Sequence, residues 1–145
     1  MKKFILTILI TFALVTNVNS FEYNCHHPSF EKLRLILDTE EKNYKVSFKY
    51  SADVKKFHKQ LETHNNPKTD KEGMIEEKGK ILKIENNNLY YFSHVDQTFI
   101  FDLQKSIFYI DENNKSESVK AYEKSFGTEG VKQLVKESIR KCKKI

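Results

Sequence analysis

Between residues 80 and 112 the chain reads ILKIE, NNN, LYYFSHV, TFIFDL and SIFYID, with short polar breaks at Asn86-Asn87-Asn88, Asp96-Gln97 and Gln104-Lys105. Runs rich in Ile, Phe, Tyr and Val, bounded by turn-forming residues, predict antiparallel strands in a meander. Upstream, Glu31 to Asp38 alternates at Leu33, Leu35 and Leu37, and Tyr44, Val46, Phe48 and Tyr50 alternate with Lys45, Ser47 and Lys49. Period two is the pattern of a half-buried strand. The polar link Thr39 to Asn43 joins the two runs as a hairpin with one wet face.

The spacing changes after Ala52. Val54, Phe57 and Leu61 sit at helical intervals and predict a short helix, followed by a loop through Asn65 to Gly73 and a strand stub at Met74 to Lys78. Glu117 to Phe126 suits either periodicity, and a last strand pairing with Ile107 to Asp111 is the expectation. Beyond Gly127, Thr128 is placed as an N-cap, and Val131, Leu134, Val135, Ile139 and Cys142 share one helical stripe. Glu129 in the first turn and Arg140, Lys141, Lys143 and Lys144 in the last suit the helix dipole. The fold class expected is α+β: an antiparallel β-meander sheet, open or partly closed into a barrel, with a C-terminal amphipathic helix.

Two of the central strands, Leu89 to Phe92 and Ile107 to Ile110, are apolar on both sides of the pleat, so both faces are expected to be covered. Either a helix lies on the second face, or the sheet cups a small apolar ligand. The second account names Tyr90, Phe92, Phe99, Phe101 and Tyr109 as ligand-binding residues.

The first twenty residues are read as a secretory signal. Lys2 and Lys3 precede the apolar run Phe4 to Val15, and small Val18 and Ser20 mark a cleavage site before Phe21. Twelve helical residues span only about 18 Å, too short for a bilayer core of about 30 Å. Cleavage leaves residues 21–145 as a single secreted domain with no membrane anchor.

Cysteine usage fits that compartment. The two cysteines, Cys25 and Cys142, are expected to form a disulfide, as exported pairs do. The alternative is a free thiol with His26 or His27 as its base. Removing Lys2 and Lys3 lowers the formal charge from +5 to +3, and the remaining charges are interspersed, which argues against a nucleic-acid footprint.

No residues are nominated as catalytic. Ser93, His94 and Asp96 hold the residue types of a hydrolase triad, but on a strand Ser93 points away from the other two. The histidines His26, His27, His58 and His64 lack the spacing that places two imidazoles on one helix face, so no metal is expected. Four glycines, none in a phosphate-cradling arrangement, leave no cofactor to name. The functional expectation is an exported, non-enzymatic binding or inhibitor-like protein of the periplasm or extracellular space, with an unknown protein or small apolar ligand as partner. The alternatives are a secreted effector acting on a host or competitor protein, and a hydrolase with an unrecognised site.

Overall fold

In a computed structural model, the structure describes residues 20–60 and 69–145. The segment read as a signal therefore lies outside the described residues, apart from Ser20. Strands β1 (Ser20–His26), β2 (Phe30–Asp38) and β3 (Asn43–Tyr50) lead into helix α1 (Ala52–Gln60). Then follow β4 (Ile75–Lys80), β5 (Lys83–Glu85), β6 (Leu89–His94), β7 (Gln97–Asp102) and β8 (Ile107–Ile110). Helix α2 (Glu117–Glu137) and β9 (Arg140–Lys144) complete the chain.

All nine described strands form one antiparallel sheet in the order β4-β3-β2-β1-β9-β8-β7-β6-β5. The two terminal strands of the chain therefore pair at the middle of the sheet. Its two ends, β4 and β5, are separated only by Ile81 and Leu82. The Ile81 amide still bonds Lys42 O on the β3 side (2.7 Å), while the Leu82 amide already bonds Tyr91 O on the β6 side (2.7 Å). One bent stretch of chain thus belongs to both ends, and the sheet curls round to meet itself.

Period two decides what points inward. The register lines up Tyr23, Leu35, Val46 and Glu77 across β1, β2, β3 and β4. A second row runs Tyr90, Phe101, Phe108, Arg140 across β6, β7, β8 and β9. The apolar members of both rows are buried in a single core cluster with Leu33, Leu37, Phe48, Phe92 and Phe99. Each such ring or branched chain taken out of water contributes about 1.5–3 kcal/mol. The outer face of β2 and β3 carries Lys32, Arg34, Lys45 and Lys49, so the hairpin has the wet face its alternation implied.

Turn chemistry matches the breaks. Asn86 and Asn87 both take left-handed φ (50° and 51°) in a two-residue loop closed by Asn88 N–H to Glu85 O. The next turn lies at Val95-Asp96 (φ 49° and 59°), one residue earlier than the sequence reading placed it, and Gln97 already belongs to β7.

Two C-terminal expectations are corrected. Residues 117–126 are helical, not a last strand. Ser116 caps them by accepting from Val119 N, and Gln97 Oε1 accepts from Ser116 N (2.7 Å), so the segment leaves the sheet as a helix. Gly127, at φ 70°, kinks α2 instead of separating a strand from a helix. The helix then ends at Glu137, and Arg140–Lys144 is a strand. Cys142 is therefore a strand residue. The N-terminal strand β1 had no counterpart among the expected elements, although Phe21, Tyr23 and Cys25 alternate. It supplies the ladder that draws β9 out of the helix.

The expected disulfide is present between Cys25 and Cys142, directly opposed across β1 and β9 with Cα atoms 3.9 Å apart. The two cysteines are 117 positions apart, and closing so long a loop removes about 5 kcal/mol of unfolded-chain freedom on the chain-entropy account. Cys25→Ser and Cys142→Ser are each expected to lower unfolding free energy by about 2–5 kcal/mol. The double variant should lose no more than either single one. Urea titration of the three proteins checks this, and additive losses would contradict it. Leu134 packs against the core while Lys136 is exposed, so Leu134→Asp should cost several times what Lys136→Asp does in the same titration.

Candidate functional site

Of the residues proposed to line a ligand cavity, Tyr90, Phe92, Phe99 and Phe101 are indeed brought together in the core. Tyr109 is not. It pairs with Ile100 on the opposite face of the pleat, half-buried, one residue out of phase with Phe108. Three of these inner rings, Phe92, Phe99 and Phe101, pack on neighbouring rings. Phe92 lies 5.3 Å from Tyr44, 5.5 Å from Phe108 and 6.3 Å from Phe99, and Phe101 lies 4.7 Å from Tyr23.

Set into this aromatic interior is a polar cluster that the sequence reading did not nominate. His94 continues the inward series Tyr90, Phe92, His94 along β6 and is 1% exposed. Its ring is surrounded by Phe48 (5.2 Å), Phe99 (5.5 Å), Phe30 (6.2 Å) and Phe108 (6.4 Å). Glu77 is carried inward by its register with Val46, and its Oε2 lies 2.8 Å from His94 Nδ1. The same oxygen accepts from Val95 N at 3.2 Å. A carboxylate at that distance accepts a hydrogen bond from Nδ1–H, which leaves Nε2 of the neutral ring as an acceptor. Among the described residues Nε2 has no partner.

Arg140 is the third member. The sequence reading placed it on an exposed last helical turn, but its pairing with Phe108 turns it inward, and it is 8% exposed. Its guanidinium stands 4.5 Å from the Phe99 ring centroid, 5.1 Å from Phe108 and 5.4 Å from Phe30. Desolvated cation–π contacts reach about 2 kcal/mol, which offsets part of the cost of burying the charge. Nη1 donates to Ser138 O (2.8 Å), and Nε has no partner. Burial pulls Arg140 down to about 10, still protonated at neutral pH, with the Tyr50 hydroxyl acting the other way.

Burial and charge set the states of the pair. For His94, burial is the largest influence and holds the imidazole below its ordinary value. Glu77 opposes that shift and Arg140 adds to it. For Glu77, burial alone would raise the carboxyl, but the bonds from His94 and Val95 more than offset this and hold it below the ordinary range. At neutral pH the cluster is therefore a carboxylate, a neutral imidazole and a guanidinium. Chemically it is a carboxylate-oriented imidazole in which His94 and Arg140 are enclosed, while the Glu77 side chain is 31% exposed and meets solvent.

One surface concavity, about 560 Å³, reaches the cluster and is lined by Glu77 with Tyr44, Ser93, Val95 and Asp96; others lie elsewhere. The groove beside the outer face of β1–β4, about 540 Å³, is lined by Lys32, Arg34 and Lys45 with Glu31, Asp70 and Glu72. Several of its groups are engaged within the fold, with Arg34 on Glu22, Lys45 on Glu76 and Glu31 on Lys49. A second concavity, about 440 Å³ beside β5 and β6, holds Tyr91, whose hydroxyl donates to Glu85 and is pushed up to about 12 by burial and that bond. There too Asn114 donates to Thr98, and Lys83 pairs with Glu85. Among the described residues no group of three or more His, Cys, Asp or Glu is arranged to hold a metal ion. The side chain of His58 and all of His64 lie outside the described residues. The Cys-His alternative is overturned, because both sulfurs are in the disulfide.

The cluster predicts an acid limb in stability. Unfolded, a histidine takes its proton near pH 6.5; folded His94 resists it, so its contribution is complete above about 6.5 and is lost as pH falls through the depressed folded value. Glu77 works in the same direction at lower pH. Its contribution is present above its ordinary value of 4.5 and is lost as pH falls through the depressed one. His27, half-buried with Nε2 on Glu137 O, is also shifted down by burial and adds a smaller share. Urea midpoints should therefore fall between about pH 7.5 and about pH 5.5, and His94→Gln should flatten that fall more than His27→Gln. An equal fall in all three proteins would show that the buried pair does not set it.

No protein-family model matches this chain, and neither a curated protein nor a solved structure is significantly similar to it.

Proposed function

We propose that this is an exported binding protein of the periplasm or extracellular space, which meets a partner protein through the outer face of β1–β4. Its two terminal strands are joined by a disulfide, a bond that persists in oxidising compartments. The observation that carries the binding reading is the contrast between the two faces of this half of the sheet. The inner face is filled by its own rings and branched chains, while the outer face is a charged, concave groove. A charged groove of this kind suits a protein partner with interspersed charges.

Lys32, Arg34 and Lys45 lie on one side chain layer of β2 and β3, and the loop bearing Asp70 and Glu72 forms the opposing rim. Groups of this kind set partner choice and association rate more than affinity. They are also exposed enough to be changed without touching the core.

Two measurements test the reading. Intact-mass analysis of the exported protein should give a chain beginning at Phe21, and a cytoplasmic chain with residues 1–20 attached would rule out export. In capture from the native extracellular fraction, the oxidised protein should retain a partner that the Arg34→Glu, Lys45→Glu double variant holds at least about tenfold more weakly. Retention of the same partners by both proteins would remove the outer face of β1–β4 as the interface.

A further inference from the structure

The two ends of the sheet meet without a ladder. β5 pairs with β6 only from Lys83 to Glu85 against Leu89 to Tyr91. Beyond that point β4 pairs with β3 alone, and β6 with β7 alone. Side-chain contacts cross the gap. Gly79 leaves room for the Tyr44 ring, which a Cβ there would meet at 2.9 Å, and Tyr44 reaches Phe92. Toward the open end, Glu77 holds both His94 and the Val95 amide. Val95 is β-branched and 52% exposed, yet it sits at φ 49° in the left-handed region. A conformation of that kind is disfavoured for a β-branched residue and persists only where surrounding contacts impose it. At Val95 the Glu77 carboxylate is such a contact.

The opposite wall is built otherwise. β1 and β9 occupy the middle of the strand order, and Cys25–Cys142 joins them covalently. The sheet is thus fixed along a central spine and fastened at its rim by one titratable pair, a buried imidazole and a carboxylate 31% exposed. We propose that the Glu77–His94 bridge is an acid-operated latch: protonation releases β4 from β6 and parts the seam, while the disulfide spine stays closed.

The charges around His94 give the direction. Among the described residues, Glu77 approaches it from β4 and Arg140 from β9, with Tyr50 at the end of β3 coupled to both. β2, β7 and β8 offer only Phe30, Phe99 and Phe108. A proton on His94 places a second cation in the cage that already holds Arg140, where burial and Arg140 together outweigh the attraction of Glu77. A further proton on Glu77 removes that carboxylate and frees the Val95 amide with it. Opening at this point uncovers Tyr44, Phe48 and Phe92, so the acid form presents an aromatic surface that the neutral form encloses.

Hydrogen exchange of the oxidised exported protein, read amide by amide and corrected for intrinsic rates, tests the latch. Leu82 N–H and Val95 N–H report the seam; Cys142 N–H, bonded to Ser106 O, and Ile145 N–H, bonded to Glu22 O, report the spine. Below about pH 6.5, seam protection should fall by up to about tenfold per pH unit while spine protection holds. An apolar dye should bind over the same range. In His94→Gln, whose amide can still donate to Glu77 but does not titrate, the seam should keep its neutral protection down to the ordinary carboxylate value of 4.5, where Glu77 itself titrates. Equal loss at seam and spine would mean global unfolding and overturn the latch, as would an unchanged or better-protected seam. An acid response retained in His94→Gln above that value would overturn it too. The exchange pattern of the unsubstituted protein decides the first of these without any variant having to fold.

Discussion

The pairing of β1 with β9 is the joint on which this fold depends. Strands β1 to β4 make one antiparallel half and β5 to β8 another, and neither half closes on itself. β9 arrives after a 21-residue helix and pairs with β8 on one side and β1 on the other, which converts two sheets into one. Only five residues long, it carries Lys at three positions and would be a poor strand alone. The disulfide at Cys25 and Cys142 compensates, because it holds the two strands in register wherever the chain is oxidised. Helix α2 is tied to the same end of the sheet at both of its termini. Gln97 holds its start, and Ser138 Oγ accepts from Ile110 N at its end.

Once β9 is fixed in that register, Arg140 has no choice of face. Pairing with Phe108 sends the guanidinium into the interior, as pairing with Val46 sends Glu77 there. Burying an isolated ion costs several kcal/mol, and the fold meets the two cases differently. Arg140 is spread over three aromatic faces and one carbonyl. Glu77 is given an imidazole and a backbone amide to bond. Replacing such groups by apolar ones is often neutral or stabilising, so their presence argues for a role in registry or response. That role agrees with their place: the carboxylate–imidazole bond lies at the seam, the one part of the wall without a main-chain ladder.

The interior also decides what the protein offers to partners. Rings within about 7 Å of one another gain from edge-to-face and tilted contact and leave little room for a guest. Open concave surface is thereby left to the outside. There the two halves differ: β2 and β3 show lysine and arginine, while β6 to β8 show Tyr91, Ile100 and Tyr109 in register. This second row is the apolar second face that the sequence implied for the central strands. Ile100 is buried between its two half-exposed tyrosine neighbours.

Much of this was legible in the chain because it depends on near neighbours. Alternation in Leu33 to Leu37 and Tyr44 to Tyr50 specified a half-wet hairpin, and Asn86-Asn87 specified a tight turn. A pair of cysteines in a chain read as exported pointed to a disulfide, since each of these signals is local in sequence or independent of geometry. The sheet order was not local. Residues 117–126 satisfied two periods at once, and only the bond from Ser116 to Gln97 in another strand made them helical. Arg140 to Lys144 looked like the basic end of a helix because its true partner, β1, lies more than a hundred residues away. His94 was visible as a third inward position after Tyr90 and Phe92. Its partner Glu77 was one carboxylate among twenty acidic residues. Which of them meets an imidazole is decided by two ladders, β3 with β4 and β6 with β7, and by the curl that brings their free edges together. That is a property of the closed sheet, which no stretch of the chain carries by itself.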